Sequence, residues 1–278
     1  MPERKFDVQA LFDVRGRTAV ITGGSGHLGR VMASALAQAG AQVAILGRHL
    51  ETAQTVARTI QTEGGKALGI ACDVLKRADL EQSWEQITSA FGPVDMLINA
   101  AGGNSPSATT STEQRFFDLD MEAINRIFGL NFTGTFQSCQ VFGRGMAERK
   151  QGCIVNITSM SGLRPLTRVP AYSAAKAAIV NFTQWLAVHM AQEYHPAIRV
   201  NALAPGFFLT DQNHYLMLDA DGKMTPRGQT IIDHTPMGRL GTPEDLPGTL
   251  LWLVSPASAF VTGVVIPVDG GFSSFSGV

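Results

Sequence analysis

Short, almost wholly apolar runs alternate along the chain with longer stretches in which apolar residues recur every three or four positions. The first pattern predicts buried strands and the second amphipathic helices. Strands are expected at 18–21, 42–46, 67–71, 94–98, 153–158, 198–203 and 264–268. Helices are expected at about 30–39, ended by Gly40, and at about 50–63, 78–91, 117–149 and 172–194. A last helix opens at Pro243, with Thr242 as its N-cap and Asp245 completing a capping box. This alternation implies βαβ units and a parallel sheet. The expected fold is therefore α/β, a single doubly wound domain over residues 1–278, with about seven parallel strands and helices on both faces. No repeat, linker or low-complexity segment interrupts it. Residues 207–240 are less regular and carry Gly222, Pro226 and Pro236, as expected of a lid. The glycine- and serine-rich tail, 269–278, carries two phenylalanines and is expected to pack on something.

Composition narrows the picture. The chain has 278 residues, 45% hydrophobic and 16% charged, which suits one large α/β domain with a substantial core. A net charge of −1 gives no reason to expect nucleic acid or an anionic membrane as partner. Cys72, Cys139 and Cys153 lie far apart in apolar stretches without metal-ligand spacing. Buried free thiols are expected, which suits a reducing cytoplasm. The charged N-terminus lacks the apolar core of a secretory signal, and no apolar stretch approaches ~18 residues, so a cytoplasmic location is expected.

The first strand runs into Thr22-Gly23-Gly24-Ser25-Gly26-His27-Leu28-Gly29 and then a helix. Gly24, Gly26 and Gly29 have the spacing of a dinucleotide turn, in which backbone amides and a helix N-terminus meet a phosphate. A tight turn without a ligand would use the same residues. The second strand ends in Gly47-Arg48-His49. An acidic residue there would favour NAD, whereas Arg48 can pair with a 2′-phosphate, so NADP(H) is favoured and NAD(H) remains possible. Asp73, after the third strand, can accept from an adenine amino group or cap the following helix. The fourth strand ends in Asn99-Ala100-Ala101-Gly102-Gly103, small residues that leave room for a ligand.

Tyr172 and Lys176 stand four residues apart on a predicted helix, so they share a face. A phenol titrates near pH ~10, and an adjacent ammonium favours its ionised form. The pair is a candidate proton donor and acceptor for a carbonyl/alcohol interconversion. A surface helix can also carry such a pair by chance. Ser159, at a strand end 13 residues before Tyr172, can reach the same substrate oxygen. Asn131, inside an apolar helical stretch, needs a partner, either a neighbouring backbone group or a water shared with Lys176.

Taken in order, these pieces resemble the short-chain dehydrogenases/reductases over essentially the whole chain. The match rests on Thr22-Gly23 with Gly29, Asp73-Val74, Asn99-Ala100-Ala101-Gly102, Asn131, Ser159, Tyr172 with Lys176, and Pro205-Gly206 with Thr210. The family's loop has glycine where this chain has His27. The resemblance implies a Rossmann-type fold, hydride transfer, and catalysis by Asn131, Ser159, Tyr172 and Lys176. It implies a cofactor half at about 15–160, with contacts from Gly23, Ser25, Gly26, His27, Leu28, Arg48, Asp73, Val74, Asn99, Ala100 and Gly102. Tyr172, Lys176, Pro205, Gly206 and Thr210 would complete that site, and a homotetramer is expected.

Segments around the substrate side, including those at 102–110, 164–167, 207–213 and 234–239, resemble the D-mannonate oxidoreductase (fructuronate reductase) branch. A hexuronate needs a cation for its carboxylate, with Arg164 preferred over Arg168 and Arg239. It also needs polar partners, for which Asn104, Gln212 and His214 are candidates beside Ser159. No metal is expected. The alternatives are a reductase of another small carbonyl, such as a 3-oxoacyl thioester or another keto sugar acid, and a non-catalytic NADP(H)-binding regulator.

Overall fold

A computed structural model describes residues 7–210, 217–219 and 221–277. Gln212 and His214 lie outside the described residues. Seven parallel strands form one sheet: β1 (Thr18–Thr22), β2 (Gln42–Gly47), β3 (Lys66–Ala71), β4 (Val94–Asn99), β5 (Gly152–Ile157), β6 (Ile198–Pro205) and β7 (Val265–Val268). Their order is β3-β2-β1-β4-β5-β6-β7. Every residue of β1, β5 and β6 is buried. That explains why these runs are almost continuously apolar: helices cover both faces.

One face packs α2 (His27–Gln38), α3 (Leu50–Thr62) and α9 (Pro247–Val254), through Met32, Leu36, Ile60 and Leu253. The other packs α4 (Arg77–Phe91), α6 (Gly134–Arg149) and α7 (Pro170–His189), through Leu80, Phe142, Phe182 and Leu186. Phe142 is wholly buried, and truncating such a ring to alanine costs about 3–5 kcal/mol. The order reverses beside β1, where the chain goes out to β3 and returns through β4. At such a switch the loops above the strand ends part and leave a crevice.

Differences from the expected elements are local. Instead of one helix over 117–149 there is a 3-10 turn (Phe116–Asp118), α5 (Met121–Phe128), a π-helical segment (Gly129–Thr133) and α6. The start shifts because Asp120 caps α5, its carboxylate accepting from the Glu122 and Ala123 amides. Proline at the first position starts α7, which ends in a π-helical turn (Met190–Tyr194). Residues 207–240 contain a short helix, α8 (Pro226–Asp233), with Thr225 as its N-cap. The Thr242–Asp245 capping box is present, although a 3-10 turn (Pro243–Asp245) precedes α9. All three cysteines are free and buried. No described helix is long and apolar enough to cross a membrane.

Candidate active site

A cleft of about 370 Å³ runs across the carboxyl ends of the strands, from Arg48 and His49 past the β1–α2 turn to Ser159, Tyr172 and Lys176. Its near wall is backbone. Gly23 has φ +65°, and a Cβ there would stand 2.7 Å from the Ala101 Cα. A Cβ on Gly29 would run into the Gly23 carbonyl. Only glycine permits both the turn and the tight seat of α2 beneath it. Gly26 is the N-cap of α2 and makes no side-chain cap, so the first amides of the helix border the cleft. His27 takes the first helical position in place of the family's glycine, with its Nδ1 2.9 Å from the Arg30 guanidinium.

At the far end, Ser159 leaves β5 in extended backbone, and its hydroxyl accepts from the Ser161 amide at 3.1 Å. Thr158, one residue earlier, donates its hydroxyl to the Lys176 carbonyl at 2.8 Å. A Cβ on Gly162 would stand 2.8 Å from that carbonyl. These contacts fix the strand end against α7 and so fix Ser159 relative to Tyr172 and Lys176. Lys176 is 4% exposed, lies 5.6 Å from the centre of the Tyr172 ring and donates to the Ile157 carbonyl at 2.9 Å. Burial pushes its pKa down to about 8.

The expectation that Lys176 lowers the Tyr172 pKa is corrected by the structure of the chain alone. Burial pushes the phenol up, and the opposing contribution is a hydrogen bond with Ser159.

Asn131 is fully buried in the π-helical segment. Its amide donates to the Gly103 and Ile127 carbonyls at 2.8 and 2.9 Å, and its oxygen accepts from the Gly103 amide at 3.1 Å. Backbone thus satisfies both ends of the side chain. A Cβ on Gly102 would stand 2.7 Å from the Asn131 oxygen and 3.2 Å from the Lys176 Nζ, so the two side chains converge on that glycine.

The cleft gathers most of the expected cofactor residues: Gly23, Ser25, Gly26, His27, Leu28, Arg48, Val74, Ala100, Gly102, Pro205, Gly206 and Thr210, with Ser159, Tyr172 and Lys176. Two expected residues do not line it. Asp73 turns into its own loop, accepting from the Leu75 amide at 3.1 Å, while its neighbours Cys72 and Val74 face the cleft. Nor does Asp73 cap α4, whose N-cap is Lys76. Asn99 is buried between strands and donates to Asn156 at 2.9 Å. Met32, Cys72, Leu130 and Thr158 line the cleft without having been expected there. The first three belong to apolar runs that read as core, and no local signal separates them from it.

On the substrate side, Asn104 donates to Thr109 within its own loop at 3.0 Å. Arg164 donates to the Ser273 carbonyl at 3.3 Å and does not border this cleft. Arg239 grips the Asp245 carboxylate with two bonds of 2.7 and 2.9 Å. Among the described residues, no group of three or more histidine, cysteine or acidic side chains could hold a metal ion.

Comparison with known proteins bears on the family. The sequence pattern of the short chain dehydrogenases matches residues 17–220. An oxidoreductase of Bacillus subtilis named UxuB, of uncharacterised activity, is 52% identical over 96% of this chain and 98% of its own length. A Haemophilus influenzae protein, crystallised with NAD and provisionally assigned as a D-mannonate oxidoreductase, is 44% identical. It superposes with a TM-score of 0.91 over 98% of this chain and all of its own. A gluconate 5-dehydrogenase from Burkholderia cenocepacia, in complex with NADP and tartrate, is 30% identical, with a TM-score of 0.85 over 96% of this chain and 99% of its own. On this combined footing the chain belongs to the short chain dehydrogenase family of oxidoreductases.

Proposed function

We propose that the protein interconverts a sugar-acid ketone and its alcohol, D-fructuronate and D-mannonate, with a nicotinamide dinucleotide as hydride carrier. The observation that carries the chemistry is Lys176, buried one turn from Tyr172 beside Ser159, at the end of a glycine-walled cleft. The sugar-acid part rests on the substrate-side segments and on the resemblance to the Haemophilus protein.

The cleft fits a dinucleotide. Its turn excludes side chains at Gly23 and Gly29, where backbone must approach a pyrophosphate closely. Arg48 lines the end of the cleft that would take the adenosine, where its guanidinium would pair with a 2′-phosphate and favour NADP(H) over NAD(H). When bound, the nicotinamide supplies or accepts the hydride. Tyr172 gives its proton to the developing alkoxide, and its raised pKa keeps that proton in place at neutral pH. Ser159 donates to the same oxygen and positions it. Lys176 is still mostly charged at neutral pH, and its ammonium would hold the hydroxyls of the nicotinamide ribose. Asn131 holds the loop after β4 at Gly103, beside Lys176. Thr210 lines the same cleft as Tyr172 and Lys176 and would hold the nicotinamide carboxamide.

The test is oxidation of NADPH, and separately of NADH, with D-fructuronate. Turnover supports the reading, and the ratio of the two rates reports on Arg48. No turnover, with rapid reduction of another keto sugar acid such as 5-ketogluconate, would replace the substrate and keep the chemistry. The Burkholderia gluconate dehydrogenase makes that second reading specific.

A further inference from the structure

We infer that a second cavity beside the catalytic residues seats the carboxylate of the substrate, held by Arg168 and Arg227, with His234 facing its hydroxyls. This rests on the sugar-acid reading above. The cavity measures about 400 Å³ and lies between the loop that carries Arg168 and the α8 helix, with Phe207 and Phe272 as apolar walls. Its position follows from connectivity. The Arg168 loop is the chain between Ser159 and Tyr172, and Phe207 directly follows Gly206, which lines the catalytic cleft.

Arg168, Arg227 and His234 border this cavity, and among the described residues no acidic side chain does. Among the described residues, Arg168 and Arg227 take part in no ion pair. The other two arginines considered for a carboxylate are engaged, Arg164 with the Ser273 carbonyl and Arg239 with Asp245. The His234 Nδ1 donates to the Thr230 carbonyl at 2.8 Å, so Nε2 of the neutral ring is an acceptor suited to a substrate hydroxyl. Guanidinium groups match a carboxylate in shape as well as in charge, and two of them facing one space repel each other until an anion enters.

The backbone adds an independent observation. Arg168 has φ +71°, one of two non-glycine residues with positive φ among those described. A long side chain in that conformation is strained, and such strain persists where the surroundings impose it. Here the Arg168 carbonyl accepts from the Thr110 amide at 2.8 Å. The polar 104–112 loop is thereby tied to the backbone that presents the guanidinium. A ketose acid with its ketone at Tyr172 would lie along this wall, its carboxylate at the opposite end of the carbon chain.

The experiment uses Arg227→Gln and Arg168→Asn, both at exposed positions, the second chosen because asparagine tolerates positive φ. Binding of D-mannonate and of uncharged D-mannitol is measured by calorimetry on the complex with reduced cofactor, where no turnover occurs. Each variant is expected to weaken D-mannonate binding by roughly 10- to 100-fold. D-mannitol binding should move by less than about threefold, and Arg227→Lys should recover part of the loss. With D-fructuronate, the rise in KM should exceed the fall in kcat. Unchanged D-mannonate binding in both variants overturns the proposal, as does a wild-type protein that binds the acid no better than the polyol. If the arginines govern D-mannonate binding yet D-fructuronate is not reduced, the anion seat stands and the assigned reaction falls.

Discussion

At the β1–α2 turn the catalytic cleft is walled by backbone, whereas the Arg168 cavity is walled by side chains from a loop and from α8. The glycines at 23 and 29 act by what they lack, and a neighbouring main chain fills the space a side chain would need. Such a wall suits a ligand shared across a family, because a pyrophosphate is met by amides that every residue has. Arg168, Arg227 and His234 act by what they carry, and each comes from a segment outside the sheet. The lesson is that one part of the site answers to fold and the other to residue choice. Substitutions at the two ends should therefore fail in different ways.

The largest effect is expected where both ends meet. Tyr172→Phe removes the proton donor and should lower kcat by roughly 10²- to 10⁴-fold, with cofactor affinity near wild type in a fluorescence titration. Retention of most of the rate would remove Tyr172 from its role.

Lys176 gives a test without substrate. Its folded pKa, about 8, lies below its ordinary 10.5, so the unfolded chain binds more protons between those values. Stability should then rise with pH across that window, by no more than about 3 kcal/mol, and the penalty should be fully present below pH 8. Urea midpoints at pH 7 and pH 9.5, compared with Lys176→Met, isolate this contribution. A wild type that gains nothing on the variant would show that the amine is better solvated than its burial implies.

Gly29→Val attacks the backbone wall. It should weaken NADPH and NADH binding together, by at least roughly tenfold, because the added branches meet the Gly23 carbonyl. Loss confined to one cofactor would contradict a shared backbone cradle. Arg48→Asp should instead change only the choice between cofactors, shifting the NADPH/NADH ratio of kcat/KM by roughly tenfold towards NADH. An unmoved ratio would leave Arg48 as a solvated side chain.

How far the sequence could be read follows the same division. The strands, the glycine turn and the Tyr172–Lys176 pair were legible because each depends on spacing within a few residues. The Thr242–Asp245 capping box was legible for the same reason. Asp120 was missed as the cap that delays α5, although an acidic residue before a helix is a readable sign. Asn131 was recognised as needing a partner, and its two offered partners were of different kinds. Which backbone group receives its amide depends on Gly103, 28 positions away. Asp73 and Asn99 sit at strand ends, but a strand end does not say which way a side chain turns. Asn99 faces Asn156 across the β4–β5 register, and Asp73 folds back on Leu75. Arg164 and Arg168 are four residues apart in one loop, and only the folded loop separates their directions.

By itself, then, the order of residues determined the α/β alternation, the parallel sheet, the glycine-rich turn after β1 and the shared helix face of Tyr172 and Lys176. These are written in hydrophobic period and in local backbone demands, which act between near neighbours. Tertiary structure alone decided the strand order around β1, the depth at which Lys176 is buried and hence its lowered pKa. It alone also set α8 against the Arg168 loop. Those depend on contacts between segments remote in the chain, where desolvation and packing are properties of the surroundings rather than of the residue.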